Sequence, residues 1–458
     1  METLVGHPPR FGEKEKKSDE MIRALAGAER SLRNVAARNE LDRENFFMPD
    51  GPQPLSLIGD DPMTPVDYIV PGFKASAVSA GLKKDGVLDL ALIFSEKEAA
   101  AAGVFTTNLV KAAPVVLSRE NLRSGKARAI IANAGNANAC TGTSGLADAR
   151  RTAELVAARL GIAPSDVLVA STGVIGRPLQ MNRIEKVIPD LTSGLSPQGI
   201  SMVARAILTT DSFVKISHFE DHAGGVPYRI LGVAKGAGMI MPNMATMLCF
   251  IISDIRIDAT DLKGAALSSV HSTFNRITVD GDTSTNDAVL IMANGRAGNR
   301  TLTEADSKRF TRGLEKVTGD LAHMIVQDGE GATKLIHIVL KGAHSASDAL
   351  SAARTVANSS LFKTACYGED PNWGRIMAAL GRAGIRMEPA HVDIWIDSVQ
   401  IVSGGLGKGS GPEQNAAEKM SQKQFCVTID LHQGNFQDHI FTCDLTHEYV
   451  TINADYRT

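Results

Sequence analysis

Cysteine is scarce: five residues in 458, at positions 140, 249, 366, 426 and 443, far apart, odd in number and without a C-x-x-C pair. This pattern excludes a disulfide framework or a cysteine-built zinc site and suits free thiols in a reducing compartment. Neither charge sign dominates, since 48 basic and 51 acidic residues leave a formal net charge of -3. No basic stripe interleaves with aromatics, so nucleic acid is not an expected partner. No apolar run approaches the roughly 18 residues of a membrane-spanning helix, and no apolar stretch follows the first basic residues, so the expected location is the cytoplasm. The eleven histidines are scattered. Their closest group, His218 and His222 with Asp221, lies in a polar, Gly-flanked stretch that reads as a solvated loop rather than a metal site.

Common catalytic signatures are missing too. The glycine-rich run Gly404 to Gly411 matches neither G-x-x-x-x-G-K-[ST] nor G-x-G-x-x-G and reads as a surface loop between two strands. There is no G-x-S-x-G elbow and no cysteine in a catalytic signature. No 20- to 50-residue period recurs, which sets aside solenoids and propellers.

What is present is an ordinary globular composition, 43% hydrophobic and 22% charged, in a chain long enough for one large or two medium domains. Residues 1–65 are rich in Lys, Glu, Arg and Asp and read as an N-terminal extension. Met21, Ile22, Leu25, Ala28, Leu32 and Val35 predict one amphipathic helix there. Its acidic residues argue against a targeting sequence. Beyond residue 66, apolar runs at 88–94, 129–132, 167–170 and 249–252 predict core strands. A helix is predicted over 146–160, stopped by Gly161. Further helices are expected at 303–326, 347–362 and from Pro371 to Leu380. Further strands are expected at 288–292, 334–340, 392–402, 425–431 and 439–445. The fold class is mixed α/β (α+β).

The segment Lys235-Gly-Ala-Gly-Met-Ile-Met-Pro-Asn-Met-Ala-Thr246-Met-Leu-Cys-Phe-Ile-Ile252 passes from glycines through Pro-Asn into an apolar strand. By pattern alone it is a loop feeding a buried strand, with Thr246 as a β-favouring residue at its start. Nothing in that pattern singles out a nucleophile.

The segment nevertheless resembles the cleavage-site block of the ornithine acetyltransferase (glutamate N-acetyltransferase) family, in which K-G-[SA]-G-M leads into P-N-M-A-T-M-L. Other blocks similar to that family follow in order: Ala102 to Asn108, Asn133 to Asn138, Ser171 to Gly176, Leu208 to Asp211, Val279 to Asp287, Asp328 to Lys334, Gly368 to Arg375 and Asn453 to Thr458. The resemblance covers about residues 66 to 458 and leaves out only the N-terminal extension.

The resemblance implies an N-terminal-threonine-nucleophile enzyme with the ornithine acetyltransferase (DmpA/ArgJ-like) fold, cleaving itself between Ala245 and Thr246. The products would be an α chain of 66–245 preceded by the extension and a β chain of 246–458, assembled as a heterotetramer. Thr246 would be the nucleophile, its new α-amine the base, and Thr172 and Gly173 the oxyanion stabilisers. Thr209, Lys235, Thr246, Glu330, Asn453 and Thr458 would bind N-acetylornithine and glutamate. Residue types suit these ligands, because α-carboxylates ask for a cation or hydroxyls and the ornithine ammonium for a carboxylate. Taken singly, Lys235 and Glu330 also read as loop charges, Thr209 is not separable from Thr210, and Asn453 and Thr458 read as a fraying tail. Asp370-Pro371 reads as a helix start with Trp373 packed, without a catalytic role. No cofactor or metal is implied; acetyl-CoA stays open as a co-substrate. Two other readings remain, an N-terminal-nucleophile aminopeptidase or amidase that delivers the acyl group to water, and a non-enzymatic binding protein.

Overall fold

A computed structural model describes residues 68–455 except Asp85 and 242–246. The chain divides into Met1–Val66 and Asp67–Thr458, and all described elements belong to the second unit. The helix expected through Met21 to Val35 lies outside the described residues, as do Ala245, Thr246 and Thr458.

The fold is mixed α/β, built on two sheets. The first has eight strands: β1 (Phe73–Val78), β2 (Leu90–Phe105), β3 (Lys126–Asn136), β4 (Val167–Val174), β5 (Lys215–Ala223), β6 (Val226–Lys235), β7 (Leu248–Ser253) and β8 (Ala288–Ala293). Their order is β4-β3-β2-β8-β7-β6-β5, with β1 pairing to β2. The β3–β4 and β7–β8 pairs are parallel; the other pairs are antiparallel.

The centre of this sheet is buried on both faces, and the strand period of two explains how. Leu248, Phe250 and Ile252 of β7, with Ala288, Leu290 and Met292 of β8, join one apolar cluster. The intervening Cys249, Ile251, Val289 and Ile291 join another, under α5 (Ala259–Ser272) and α6 (Glu304–Gln327). Full burial of each large side chain is worth about 1.5–3 kcal/mol, so the start of β7, where the notable threonine segment ends, rests on a rigid base. Under one face of the β2–β4 side lie α1 (Ala113–Asn121), α2 (Gly142–Leu160) and α3 (Met181–Ser193), and on the other face α4 (Ile200–Ala206) packs against β1 and β2. The predicted stop of α2 is present, with Gly161 at φ 65°.

The second sheet has six strands in the order β12-β11-β10-β13-β9-β14: β9 (Leu335–Ala343), β10 (Asp393–Ile396), β11 (Val399–Ser403), β12 (Leu406–Gly407), β13 (Gln424–Asp430) and β14 (Phe436–Cys443). It packs on α7 (Ala346–Ala357), α8 (Ser360–Tyr367) and α9 (Trp373–Gly381). Trp373 packs against this core as expected.

Several expectations change. The run 347–362 is two helices, because Ser359 caps a new start through the Phe362 amide. The run 392–402 folds into the β10–β11 hairpin, with Asp397 at φ 48°. Gly404 to Gly411 is not all loop: it contains β12 and the start of α10 (Ser410–Met420). The stretch holding His218, Asp221 and His222 is a strand, β5, paired along its whole length with β6. As a sheet edge it exposes alternate residues, which is why its composition resembles a loop.

Candidate active site

Both flanks of the 242–246 segment are anchored. Upstream, the Asp280 carboxylate accepts from the Met239 and Ile240 amides at 2.5 and 2.7 Å, and the Val279 amide donates to the Ile240 carbonyl at 2.7 Å. The Thr283 hydroxyl donates to the Met241 carbonyl at 3.3 Å. Downstream, the Met247 amide donates to Asp287 Oδ1 at 3.0 Å, and the Met247 carbonyl accepts from the Ala288 amide at 3.2 Å. Leu248 then registers with Lys235 on one side and Ala288 on the other.

Lys235 ends β6 and is buried. Its ammonium donates to the Thr209 hydroxyl at 2.7 Å and lies 3.7 Å from Asp211. Asp211 also receives the Thr209 and Gly236 amides and pairs with Lys215, which in turn pairs with Asp328. Burial opposes ionisation of Asp211, but Lys235 and Lys215 outweigh it and hold its carboxyl well below the usual range. Burial also pushes the Lys235 ammonium down, against the attraction of Asp211. Thr209, rather than Thr210, supplies the hydroxyl that meets Lys235.

Glu330 stands two residues after Asp328 in the turn following α6, and its amide donates to the Ala237 carbonyl at 2.9 Å. A Cβ on Gly238 would lie 2.3 Å from Glu330 Oε2, so a glycine there lets the carboxylate lie against the loop. The C-terminal segment folds back over this point as helix α11 (His447–Asp455). Thr446 ties its start to the Gly331 carbonyl at 2.7 Å, Asn453 donates to Glu330 Oε2 at 2.8 Å, and the Tyr449 hydroxyl donates to Asp280 at 3.3 Å.

The strand predicted over 167–170 runs further: β4 continues through Thr172 and Gly173 to Val174 beside an irregularity at Gly135 and Asn136. The strand persists because two glycines let the backbones approach. Gly173 has φ 127°, and a Cβ on it would fall 2.4 Å from the Gly135 carbonyl carbon. Asn286 fastens this end by donating to the Ser171 and Ala137 carbonyls at 2.8 and 2.6 Å.

Thr172, Gly173, Thr209, Lys235, Glu330 and Asn453 therefore line one cleft. Asp280, Asp282 and Tyr449 line it as well and were not singled out from sequence. Nor was Asp287, which lies under the Met247 amide. Asp280 and Asp287 belong to a family-like block, but their sequence signal was only that of acidic residues near an apolar run. A second hollow of about 530 Å³ lies between the Asp370 to Gly374 turn and α10, and it holds none of these groups. Among the described residues no cluster of His, Cys, Asp or Glu could hold a metal, and no helix is long and apolar enough to cross a membrane.

The chain is 51% identical over 391 residues to the arginine biosynthesis bifunctional protein ArgJ of Geobacter sulfurreducens, covering 85% of this chain and 100% of that one. It is 46% identical over 399 residues to the glutamate N-acetyltransferase of Methanocaldococcus jannaschii, covering 84% and 97%. A crystal structure of the Bacillus halodurans arginine biosynthesis bifunctional protein ArgJ is similar at 42% identity and a TM-score of 0.43, covering 45% of this chain and 98% of that chain. The ArgJ family matches residues 74–458. With the match spanning both sheets and the whole cleft, the chain belongs to the ArgJ family.

Proposed function

We propose that this chain cleaves itself between Ala245 and Thr246 and then moves an acetyl group from N2-acetyl-L-ornithine to L-glutamate through an acetyl ester on Thr246. The observation that carries the reading is convergence: six side chains or backbone units expected at the site line one cleft, and the anchored upstream flank of the 242–246 segment borders it through Gly238 and Met239. The relatives' names, a bifunctional arginine biosynthesis protein and a glutamate N-acetyltransferase, support the same reaction class.

In this reading the Thr246 hydroxyl attacks the Ala245 carbonyl carbon, and water resolves the ester, leaving Thr246 as a chain terminus. Its α-amine, with an unperturbed pKa of about 7.7–8.0, then serves as base for the adjacent hydroxyl. Each half-reaction passes through an oxyanion held by Thr172 and Gly173, an interaction worth about 2.7–4 kcal/mol per donor in comparable sites. Lys235 with Thr209 suits an α-carboxylate. Glu330, steadied by Asn453, suits the ornithine ammonium. Thr458 would complete the substrate contacts from the C-terminus. The α chain (1–245) and β chain (246–458) would assemble as a cytoplasmic heterotetramer. The word bifunctional in the relatives' names favours acetyl-CoA as a second acetyl donor.

The test is turnover of N-acetylornithine and glutamate by wild type and Thr246→Ala. The proposal expects parallel-line (ping-pong) kinetics and total loss in the variant. Acetyl delivered to water rather than glutamate would favour an aminopeptidase or amidase instead.

A further inference from the structure

The peptide unit between Leu208 and Thr209 is gripped from both sides. Its N–H, carried by Thr209, donates to Asp211 Oδ2 at 3.0 Å, and its carbonyl, carried by Leu208, accepts from the Lys83 ammonium at 2.5 Å. The same ammonium donates to the carbonyl of Ala206, the last residue of α4, at 2.9 Å and to the Leu88 carbonyl at 3.1 Å. Its three N–H bonds thus serve three carbonyls on two stretches of chain. The backbone of Lys83 is fixed as well, because the buried Asp89 carboxylate accepts the amides of Ala80, Leu82 and Lys83 at 2.6, 2.5 and 3.0 Å. This mount also meets the strand end beside Thr172. The Asp89 carbonyl accepts the Ala134 amide at 2.9 Å, and a Cβ on Gly135, which registers with Gly173, would fall 2.7 Å from the Leu82 carbonyl oxygen.

We propose that Lys83 is a positioning residue of the cleft, holding the 208–209 peptide so that the Thr209 hydroxyl and the Lys235 ammonium meet the substrate α-carboxylate together. This rests on the assignment of Thr209 and Lys235 to that carboxylate made above. The Thr209 hydroxyl accepts from Lys235 at 2.7 Å, which leaves its own hydrogen for a carboxylate oxygen. Asp211 restrains the amide side of the peptide and Lys83 the carbonyl side. Without Lys83 the unit can pivot on Asp211 and carry the hydroxyl away from Lys235. Lys83 does not itself line the cleft, so it acts through Thr209 rather than on substrate. N-acetylornithine and glutamate both present an α-carboxylate, so the effect falls on both alike, unlike that of Glu330.

Ionisation gives the role a signature. Burial pushes the Lys83 ammonium down to about 8; Asp89 opposes the fall, Lys235 adds to it and Asp211 opposes it. A neutral amine keeps two N–H bonds for three carbonyls, so above about pH 8 one carbonyl loses its donor. An arginine at this position stays charged throughout.

The experiment measures kcat and KM for both substrates in wild type, Lys83→Met and Lys83→Arg. It repeats KM for N-acetylornithine from about pH 7 to about pH 9, where the substrate carboxylate stays ionised. Lys83→Met is expected to raise both KM values about tenfold and to a similar extent, with kcat changed less than about threefold. Through pH 8 the wild-type KM should climb relative to that of Lys83→Arg by about threefold or more. The titration of Lys235 is common to both proteins and cancels in that ratio. Unchanged KM values in Lys83→Met, a fall in kcat alone, or a rise in KM for one substrate only would overturn the role; the second would mark Lys83 as a brace for folding. Should Lys83→Met fail to fold, the ratio of wild type to Lys83→Arg decides, and a flat ratio across pH 8 overturns the role. Wild type that moves no acetyl between the two substrates would instead remove the transfer reading, and this role with it.

Discussion

Two of the buried groups of titratable side chains differ in what surrounds them. At the cleft, Asp211, Lys215, Lys235 and Asp328 form a linked set in which every charge meets an opposite one. Between α6 and the second sheet, His323, His337 and His439 crowd around Phe441, with His337 stacked on that ring at 4.1 Å and 9° and His323 edge-on at 4.2 Å. Burial pushes His337 down to about 3 and His323 to about 4. Perturbed titration is common to both groups and does not by itself mark a site. Only the first group borders a cleft beside an anchored chain segment; the second is a packing feature whose rings are kept neutral.

The contrast is broken most forcefully at Asp211. Asp211→Asn leaves Lys215 and Lys235 short of a buried counter-charge and is expected to cost about 3–5 kcal/mol, read as a fall in melting temperature. The loss should narrow at low pH: the depressed Asp211 carboxyl contributes stability above about pH 4 and gives it up as pH falls through the lower folded-state value. A loss unchanged down to pH 2 would mean that the pairing is not what holds this end of the cleft.

Gly173→Ala comes next. A φ of 127° and the 2.4 Å approach to the Gly135 carbonyl carbon predict a strain of about 1–3 kcal/mol, with transfer activity falling more than stability because the backbone beside Thr172 must move. Equal activity after correction for the folded fraction would separate this strand end from the chemistry. Glu330→Gln should then raise KM for the cationic acetyl donor about tenfold or more and change KM for glutamate less. Equal shifts for both substrates would remove its assignment to the ornithine ammonium.

The smallest effect is expected in the histidine group. Because the folded state holds His337 neutral, the unfolded chain takes up its proton first as pH drops below about 6.5, and stability is lost from there toward pH 3. His337→Phe should therefore hold its melting temperature better at pH 5 than wild type while transfer at pH 7 changes less than twofold. A large loss of activity would bring the two regions into one functional unit.

Much of the scaffold was legible because central strands and capped helices follow local rules. The runs that became β7 and β8, the glycine stop after α2, and the stretch from 303 to 326 carried their periodicity in full. Two long runs hid a break, since a single Ser359 cap and the turn at Asp397 are short polar interruptions of an otherwise continuous pattern. The loop expected at His218 became an edge strand, whose alternately exposed side chains look like loop composition.

At the site, family-like blocks pointed to Thr172, Lys235 and Glu330, but the pattern of single residues did not. The partners Asp211, Asp280, Asp287 and Tyr449 needed three-dimensional neighbours to be noticed. Asp287 gains its meaning from Met247, 40 positions away, and Tyr449 from Asp280, 169 positions away. No local sequence pattern encodes such pairs.

The most direct test of the central claim is intact mass and N-terminal sequencing of the purified protein, before and after incubation with N-acetylornithine alone. The account predicts a fragment beginning at Thr246 that gains one acetyl group when the donor is added and loses it when glutamate follows. A single uncleaved chain of 48.6 kDa that transfers acetyl at full rate would contradict it.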